Sequence, residues 1–520
     1  MNNFIYNSAI NALGKNGRWQ EALCVLGEME GSGVTPNVFT LTSAMGACTE
    51  GGQWERALSI LDEMLRAGVM PTVFTFSWAI KACTRGGDWE RALSLLGEMR
   101  RLGVEPNHYT YNAAISACAP HGQWQRALSL LEEMRGAGFP PDEVSFTTAM
   151  NACTNSGQWQ RALSLLEEMR AAGVPVDRKS FNGAIRACAK GGQWQHALSL
   201  LEEMRAAGVP PNAASYTSTI SACGSGGQWQ RALSLLTEMW AAGIAPNEIS
   251  YNAAMDACAK AGEWERALAV MEGMRRAGAS PNLRSYNSCI GACAKAGQWQ
   301  KALSLLEEMR AAGFTPDLFT FNSTMDALAN GGQWRRALSL LEEMRAAVAP
   351  PDTISFTTAM VACARGGQWE PALSLLEEMR AAGFVPNKIS FTAAIEACAA
   401  GGAWRRMLSL MGEMRAAGLA PNEFTYASAI RGCARAKEWG KVTMAQNCDG
   451  YFWCLRGPRS EGRVGSDDLE ISTHEKSSMT TLFICAIVLV SQRHMDRATG
   501  QSIFDKTVWA KKKKSHLASE

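Results

Sequence analysis

The apolar residues of this chain are arranged in a unit of 35 residues that contains two helical patterns. In residues 178–212 the first pattern, from Phe181 to Cys188, places apolar residues at intervals of three, four and seven, which is typical of an amphipathic helix. The second pattern runs from Trp194 to Met204 with helical spacing as well. The glycines at 191 and 192 interrupt the first helix, and Pro211 prevents continuation of the second. Each unit is therefore predicted to be a helix, a tight turn, a second helix and a short loop.

The unit repeats in register, without insertion, over residues 3–446. A tryptophan opens the second predicted helix of every copy, from Trp19 to Trp439. Because one helical hairpin cannot bury both of its apolar faces, the copies are expected to stack into an all-α solenoid. Twelve full repeats and a partial thirteenth start at residues 3, 38, 73, 108, 143, 178, 213, 248, 283, 318, 353, 388 and 423. Residues 447–520 show no periodicity and form a C-terminal tail for which no structure is predicted.

The cysteines indicate a packed core rather than a disulfide framework. Eleven of the 16 occupy one position of the repeat, at Cys48, Cys83, Cys118, Cys153, Cys188, Cys223, Cys258, Cys293, Cys363, Cys398 and Cys433. A thiol at one helical position of each copy is expected to line the core as a small apolar residue, which suits a reducing compartment. Cys289 and Cys293 lie four residues apart and could form half of a metal site. No second pair follows nearby in the sequence, so packing is the favoured interpretation, and no metal or cofactor is predicted.

A second face of the first helix carries residues that the core pattern does not explain. It comprises the positions two before the core aromatic, one after it and nine after it. The first position is apolar in ten repeats: Phe4, Phe39, Phe74, Tyr109, Val144, Ile249, Phe319, Ile354, Ile389 and Phe424. Its exceptions are Lys179, Ala214 and Arg284. The second position is Asn, Thr or Ser in twelve repeats: Asn7, Thr42, Ser77, Asn112, Thr147, Asn182, Thr217, Asn252, Asn287, Asn322, Thr357 and Thr392.

The third position on this face is basic in seven repeats: Lys15, Arg85, Lys190, Lys260, Lys295, Arg365 and Arg435. The loop adds a fourth position, which is Asn or Asp in eleven repeats: Asn37, Asn107, Asp142, Asp177, Asn212, Asn247, Asn282, Asp317, Asp352, Asn387 and Asn422. N-capping of the next helix would explain the loop residue in a single repeat, and a solvated helix face would explain the other polar position. Neither interpretation explains why the helix position is limited to Asn, Thr or Ser and the loop position to Asn or Asp in nearly every repeat.

An apolar surface, a pair of hydrogen-bonding groups and a cation in each repeat are the groups that single-stranded nucleic acid requires. The formal net charge is only +2, with 51 basic and 49 acidic residues. Binding to phosphate would therefore depend on cations placed on this one face rather than on an overall positive field.

These features resemble the pentatricopeptide repeat family, specifically its pure-repeat (P-type) class. The resemblance covers residues 3–446 and rests on the 35-residue period, the Y/F-N/T pair of the first helix, the A-L-x-L-L-x-x-M segment of the second and the G-x-x-P-N/D ending. It implies a right-handed superhelical solenoid that binds single-stranded RNA, one repeat per base, through the residue after the aromatic and the residue after the loop proline. It also implies a role in RNA stabilisation, processing or translation in a plastid or mitochondrion, although no targeting peptide is visible ahead of the first repeat.

The pairing preferences of the family imply a base for most repeats. U is expected at the Asn–Asp pairs Asn112/Asp142, Asn287/Asp317 and Asn322/Asp352. A is expected at Ser77/Asn107, Thr217/Asn247, Thr357/Asn387 and Thr392/Asn422, and G at Thr147/Asp177. C, with U tolerated, is expected at Asn7/Asn37, Asn182/Asn212 and Asn252/Asn282. Thr42 with Thr72 is not a defined pair, and Ala427 lacks the polar group. The expected RNA is Y-N-A-U-G-Y-A-Y-U-U-A-A from 5′ to 3′.

The sequence does not predict an enzyme. The paired acids of the second helix, such as Glu202-Glu203, are followed by Arg205 and are expected to form a solvated, salt-bridged face. The tail lacks the H-x-E and C-x-x-C pattern of zinc deaminases. The apolar run at 479–490 is too short to span a membrane, and the lysines at 511–514 are expected to be solvated. A helical-repeat scaffold that binds protein or peptide partners is the alternative function, and protein partners in RNA processing are also expected.

Overall fold

The computed structural model describes residues 3–346, 350–435, 442–447 and 450–455, which form 25 helices and one β-hairpin. The first helices of the repeats are the odd-numbered ones: α1 Asn3–Lys15, α3 Val38–Glu50, α5 Val73–Gly86, α7 His108–Cys118, α9 Glu143–Asn155, α11 Arg178–Lys190, α13 Ala213–Ser225, α15 Glu248–Ala261, α17 Leu283–Lys295, α19 Leu318–Asn330, α21 Thr353–Arg365, α23 Lys388–Ala400 and α25 Glu423–Arg435. The second helices are α2 Trp19–Gly31, α4 Trp54–Arg66, α6 Trp89–Arg101, α8 Trp124–Gly136, α10 Trp159–Ala171, α12 Trp194–Ala206, α14 Trp229–Ala241, α16 Trp264–Arg276, α18 Trp299–Ala311, α20 Trp334–Ala346, α22 Trp369–Ala381 and α24 Trp404–Ala416. The all-α solenoid predicted from the repeat is confirmed.

The turn between the two helices of the sixth repeat contains two glycines. A Cβ at Gly191 would collide with the ring of Trp159 in the preceding repeat, so a side chain at this position would require that ring to shift. Gly192 has φ +67°, in the left-handed region that glycine adopts without strain. The second helix ends in the same way, since Gly208 has φ +69° directly after the C-cap residue Ala207. The helix ends predicted from the glycines are therefore confirmed.

The helices form two layers. Each odd-numbered helix packs against the odd-numbered helices before and after it and against its own even-numbered partner, which in turn packs on the next odd-numbered helix. Neighbouring odd-numbered helices approach more closely than neighbouring even-numbered helices. A stack curves toward its more closely spaced layer, so the odd-numbered helices line the concave side of the array.

The interior between the layers is filled by the predicted apolar stripes. Phe181, Ile185 and Cys188 of α11 are buried, as are Leu201 and Met204 of α12. The cysteines in the shared register are all buried. This apolar burial is the main source of stability for stacked repeats.

Arg–Glu pairs link neighbouring even-numbered helices on the outer side, each spanning 33 residues. They are Arg100–Glu133, Arg135–Glu168, Arg170–Glu203, Arg205–Glu238, Arg275–Glu308, Arg310–Glu343, Arg345–Glu378 and Arg380–Glu413. The expected salt-bridged face is thus present, but it joins repeats: Arg205 pairs with Glu238 at 3.1 Å rather than with an acid of its own helix. At one junction Trp240 and Gly273 replace both partners, and the Trp240 indole donates to Tyr251 Oη at 3.3 Å.

The C-terminal part of the array departs from the helical pattern. Helix α25 is the first helix of the partial thirteenth repeat, whereas Trp439 lies outside the described residues. Strands β1 (Val442–Asn447) and β2 (Gly450–Leu455) form an antiparallel hairpin, which was not predicted and which crosses the expected boundary at 446/447. Residues 479–490 and 511–514 also lie outside the described residues. Within the described part of the chain, no helix is both long and apolar enough to cross a membrane.

Candidate nucleic-acid interface

The apolar residues predicted to pack against bases are all exposed. Each is the second residue of an odd-numbered helix, and their exposed fractions run from 50% at Phe424 to 74% at Phe4. Large apolar side chains repeated at one exposed position are unlike a random surface and mark a binding face. The structure therefore places all ten predicted platform residues where a ligand in the concave groove could reach them.

The loop residues cap the odd-numbered helices. Asn37, for example, accepts from the backbone N–H of Thr40, and the Thr40 hydroxyl accepts from the backbone N–H of Asn37, forming a capping box. The same acceptance by the loop side chain occurs at every junction from Asn37 to Asn422, with Thr72 in the position as well. The capping interpretation is thus correct, and it fixes one side-chain oxygen of each loop residue before any ligand binds.

In five repeats the loop residue also contacts the helix residue with which it was predicted to read a base. Asn287 Nδ2 lies 3.3 Å from both carboxylate oxygens of Asp317 and donates to them. The other four donor–acceptor pairs are Asn112–Asp142 at 3.4 Å, Asn182–Asn212 at 3.2 Å, Asn252–Asn282 at 3.2 Å and Asn322–Asp352 at 3.4 Å. The two residues of each pair are 30 positions apart in the sequence, and the structure brings them together to form one polar site.

A buried hydroxyl connects the two members of most pairs. Thr320, the third residue of α19, has its hydroxyl 2.6 Å from Asn287 Oδ1 and 2.7 Å from Asp317 Oδ1. In the threonine repeats the hydroxyl is the connection: Thr217 and Ser250 lie 2.7 Å apart, and Thr357 and Ser390 lie 3.0 Å apart. Sequence reasoning missed these residues, although every such position holds Ser or Thr: Thr40, Thr75, Thr110, Ser145, Ser180, Ser215, Ser250, Ser285, Thr320, Ser355, Ser390 and Thr425. All of them are fully buried.

Like Thr357 and Thr392, Ser77 bonds to a carbonyl of its own helix. Its hydroxyl donates to the Val73 carbonyl of its own helix at 2.8 Å. Asn107 in the same repeat accepts from the backbone N–H of Thr110. The predicted Ser77/Asn107 pair is therefore built from two residues that each bond locally.

Two of the loop carboxylates, those of Asp142 and Asp352, are held in their charged form. Burial opposes ionisation of Asp142, but hydrogen bonds from Ser145, the nearby His108 and the Asn112 amide outweigh it and lower its pKa. Burial is likewise outweighed at Asp352 by bonds from Ser355 and Asn322, so its pKa is also lowered. Hydrogen bonding to the ionised form has this effect on a carboxyl group. These two sites consequently present negative hydrogen-bond acceptors near neutral pH.

The basic residues predicted to bind phosphate are exposed at the ends of the odd-numbered helices. Several of them also contact the preceding repeat: Lys295 Nζ donates to the Lys260 carbonyl at 2.9 Å, and Arg435 donates to the Ala400 carbonyl at 3.0 Å. Arg85 reaches the Thr49 carbonyl at 2.7 Å. A cation at the C-terminus of a helix is favoured by the helix dipole. Lys295, Arg435 and Arg85 are therefore held against the preceding repeat while remaining accessible.

One cleft contains every predicted class of site residue. It has a volume of about 520 Å³ and lies between the repeats that contain α15, α17 and α19. The polar pair Asn287 and Asp317, the platform residue Phe319 and the cations Lys260 and Lys295 line it together. A base, a hydrogen-bonding edge and a phosphate could be contacted at the same time in such a cleft.

The cysteines considered as half of a metal site belong to the core. Cys289 is fully buried, and its sulfur lies 3.7 Å from the sulfur atoms of both Met255 and Met271. Burial raises the pKa of the Cys293 thiol to about 11 and raises that of Cys289 as well. Among the described residues there is no group of three or more His, Cys, Asp or Glu side chains arranged to hold a metal ion.

Comparison with known families identifies the repeat. Family profiles described as "Pentacotripeptide-repeat region of PRORP", "PPR repeat family" and "PPR repeat" match the chain. The first matches residues 138–275 and 180–361, the second 1–50, 79–120, 111–155 and 351–400, and the third 39–69 and 389–419. The chain belongs to the pentatricopeptide repeat family, as a many-repeat member of the pure-repeat class. No curated protein sequence matches it.

The chain was also compared with solved structures. The crystal structure of the pentatricopeptide repeat protein PPR10 from maize is 28% identical over 84% of this chain, with a TM-score of 0.61, and this chain spans 66% of its length. A structure of PPR10 in complex with an 18-nucleotide PSAJ RNA element is 22% identical over 84% of this chain and 83% of its own, with a TM-score of 0.46. The PPR domain of Arabidopsis thaliana protein-only RNase P 1 in complex with tRNA is 19% identical over 34% of this chain and 94% of its own, with a TM-score of 0.31.

Proposed function

We propose that this protein binds single-stranded RNA in the concave groove of its solenoid and selects the sequence one base per repeat. The proposal rests on one recurring arrangement. At successive junctions between repeats, an exposed apolar side chain lies beside a polar pair whose loop residue is held in place by capping. In the site of Asn287 and Asp317, the platform residue Phe319 and the cation Lys295 line the same cleft. Base packing, edge recognition and phosphate neutralisation are each provided by separate side chains there.

The selected sequence is proposed to follow Y-N-A-U-G-Y-A-Y-U-U-A-A. The Asn–Asp sites combine an amide donor with a carboxylate acceptor, whereas the Thr–Asn sites present a hydroxyl beside an amide. Different donor and acceptor sets favour different base edges, because a mismatched edge leaves buried polar groups unpaired. The family pairing preferences then assign the bases to these sets.

The protein is proposed to act by occupying RNA rather than by cleaving or modifying it. A bound segment would be shielded from nucleases or kept unpaired for another factor, in RNA stabilisation, processing or translation. Membership of the pentatricopeptide repeat family supports a plastid or mitochondrial location. Expression with a C-terminal fluorescent tag tests this: overlap with an organelle marker is expected, and a nuclear signal would contradict it.

Fluorescence anisotropy at physiological salt tests the binding function. The probes are the RNA CUAUGCACUUAA, the DNA of the same sequence and the RNA paired with its complement. We expect saturable binding to the single-stranded RNA and much weaker binding to the duplex, whose base edges are not available to side chains in a groove. No saturable binding to the single-stranded RNA would overturn the proposal and favour a scaffold for protein partners.

A further inference from the structure

The predicted base-recognition site of the fourth repeat contains a third polar side chain, as does that of the eighth, where Glu248 accepts from Asn282 Nδ2 at 3.1 Å. His108 is the first residue of α7, and no other repeat has histidine at this position. The equivalent residues are Asn3, Val38, Val73, Glu143, Arg178, Ala213, Glu248, Leu283, Leu318, Thr353, Lys388 and Glu423.

Both ring nitrogens of His108 contact the predicted uracil-reading pair. Nε2 lies 3.1 Å from Asp142 Oδ2, and Nδ1 lies 3.4 Å from Asn112 Nδ2. These contacts suit one neutral tautomer, in which Nε2–H donates to the carboxylate and Nδ1 accepts from the amide. The imidazole side chain is 30% exposed, so it lies at the edge of the site rather than in the core.

The contacts leave Asp142 with little capacity for a base. Its Oδ1 accepts from the backbone N–H of Ser145 at 2.8 Å, lies 2.7 Å from the Ser145 hydroxyl and is 3.4 Å from the Asn112 amide. Oδ2 is the oxygen that remains, and His108 lies against it. A base donor that approaches this carboxylate must therefore share or displace the imidazole.

Two other repeats provide the same pair without the histidine. Asn287/Asp317 and Asn322/Asp352 are also Asn–Asp pairs with direct amide–carboxylate contacts. The residues equivalent to His108 in those repeats are Leu283 and Leu318, which cannot donate to the carboxylate. The chain thus contains its own matched controls for the effect of the imidazole.

We propose that His108 is a third specificity-determining residue of the fourth repeat. By bonding to Asp142, it weakens the selection of uracil over cytosine at this repeat. This effect is stronger when the imidazole is charged. Uracil presents an N–H donor at the centre of its pairing edge, whereas cytosine presents an acceptor nitrogen there. A free carboxylate oxygen therefore favours uracil, and one that is already bonded favours it less. The proposal rests on the RNA-binding function argued above.

The charge dependence follows from the neighbours of the imidazole. Histidine is the side chain whose charge commonly changes between pH 5 and 8. Asp142 faces it from the following junction, Tyr109 lies beside it on α7 with ring centroids 5.9 Å apart, and the equivalent residue of the preceding repeat is the uncharged Val73. A charged imidazolium would bind Asp142 as an ion pair and, with both nitrogens protonated, would lose its bond from the Asn112 amide. Lower pH should consequently weaken base selection at this site.

The test measures RNA affinities of the wild-type protein and of His108→Leu at pH 6 and pH 8. The probes are CUAUGCACUUAA and three variants with a single U→C change opposite the fourth, ninth or tenth repeat. The ratio of affinities for U and C at each position removes the general effect of added charge on RNA binding. His196→Arg is the control for histidine titration elsewhere, because His196 lies on α12 against Trp159 and most equivalent positions hold arginine.

In the wild type we expect the U-over-C ratio opposite the fourth repeat to be lower at pH 6 than at pH 8, with no such change opposite the ninth and tenth. His108→Leu should raise the ratio at pH 6 by about three- to tenfold, the effect of one hydrogen bond, and remove its pH dependence. A ratio that is unchanged by His108→Leu, while the ninth and tenth positions still discriminate, would overturn this proposal alone. Loss of discrimination at all three positions would instead count against the proposed base selection.

Discussion

Asn287 donates to both carboxylate oxygens of Asp317 at 3.3 Å, although the two residues are 30 positions apart and sit in different secondary-structure elements. The contact exists because Asp317 caps α19 while Asn287 projects from the middle of α17 toward the same junction. One capping geometry, repeated along the array, therefore makes a helix end part of the proposed recognition site.

Exchanging this pair should change the base that the ninth repeat selects. The double variant Asn287→Thr/Asp317→Asn reproduces the Thr–Asn pair found at Thr217 and Asn247. We expect its preference at this position to move from U to A by about tenfold, since a good base contact contributes on the order of 1–3 kcal/mol. Competition binding with RNAs that differ only at this position measures the change. An undiminished preference for U would show that these two residues do not select the base.

The buried hydroxyl of Ser285 should be needed for both stability and selectivity at the eighth repeat. It lies 2.7 Å from Asn252 Oδ1 and accepts from the backbone N–H of Asn282 at 3.1 Å. Ser285→Ala removes half of a capping box and should lower the free energy of unfolding by about 1 kcal/mol. It should also reduce base discrimination at this repeat, as measured by denaturant unfolding and by mismatch binding.

Ser285→Thr is the matched control for that variant. Threonine occupies the equivalent position at Thr40 and Thr320 and forms the same contacts there. The threonine variant should keep both stability and discrimination. Equal losses in the alanine and threonine variants would show that volume, rather than the hydroxyl, matters at this position.

The cations of the cleft should act on affinity without altering selectivity. Lys260→Ala and Lys295→Ala are each expected to weaken binding to all RNA sequences to a similar extent. For single strands, each lost phosphate contact should reduce the slope of log affinity against log salt by about 0.7. Arg335→Ala is the control, because its guanidinium lies over the Trp334 ring on an even-numbered helix. A variant that changed base preference but not the salt slope would contradict the phosphate role.

The cysteines in the shared register should resist alkylation while the protein is folded. Burial raises the pKa of the Cys118 thiol to about 11 and that of Cys83 to about 12, so almost no thiolate forms near neutral pH. Cys24 is exposed and should react first. Peptide mapping after iodoacetamide treatment, with and without denaturant, measures this difference. Rapid labelling of Cys118 in the native protein would be inconsistent with the core as described.

The helices could be predicted from the sequence because their signals are local. The stripe from Phe181 to Cys188 and the glycines at 191 and 192 each act within one repeat, and thirteen copies reinforce the pattern. The positions of the platform residues followed from the same helical geometry. Their exposure in the structure agrees with the prediction that the core does not use them.

The contacts that were missed depend on how neighbouring repeats stack. Thr320 bonds Asn287 across 33 residues, and Arg205 pairs with Glu238 across the same interval. Helical periodicity does not specify this offset, because it is set by the distance and angle between packed helices. His108 was overlooked for the same reason, since its partner Asp142 belongs to the next junction. To predict the contacts of a residue in one repeat, the sequence of the following repeat must therefore be considered as well.

Selection of bases by these polar pairs in the groove can be tested by measuring binding to two synthetic RNAs at physiological salt. One contains CUAUGCACUUAA, and the other contains CUGUGCGCUUGG, in which every A expected to face a Ser/Thr–Asn pair is replaced by G. We expect at least about a tenfold preference for the first RNA, since even one mismatched base contact costs on the order of 1–3 kcal/mol. Equal affinity for the two RNAs would show that the polar pairs do not select the bases.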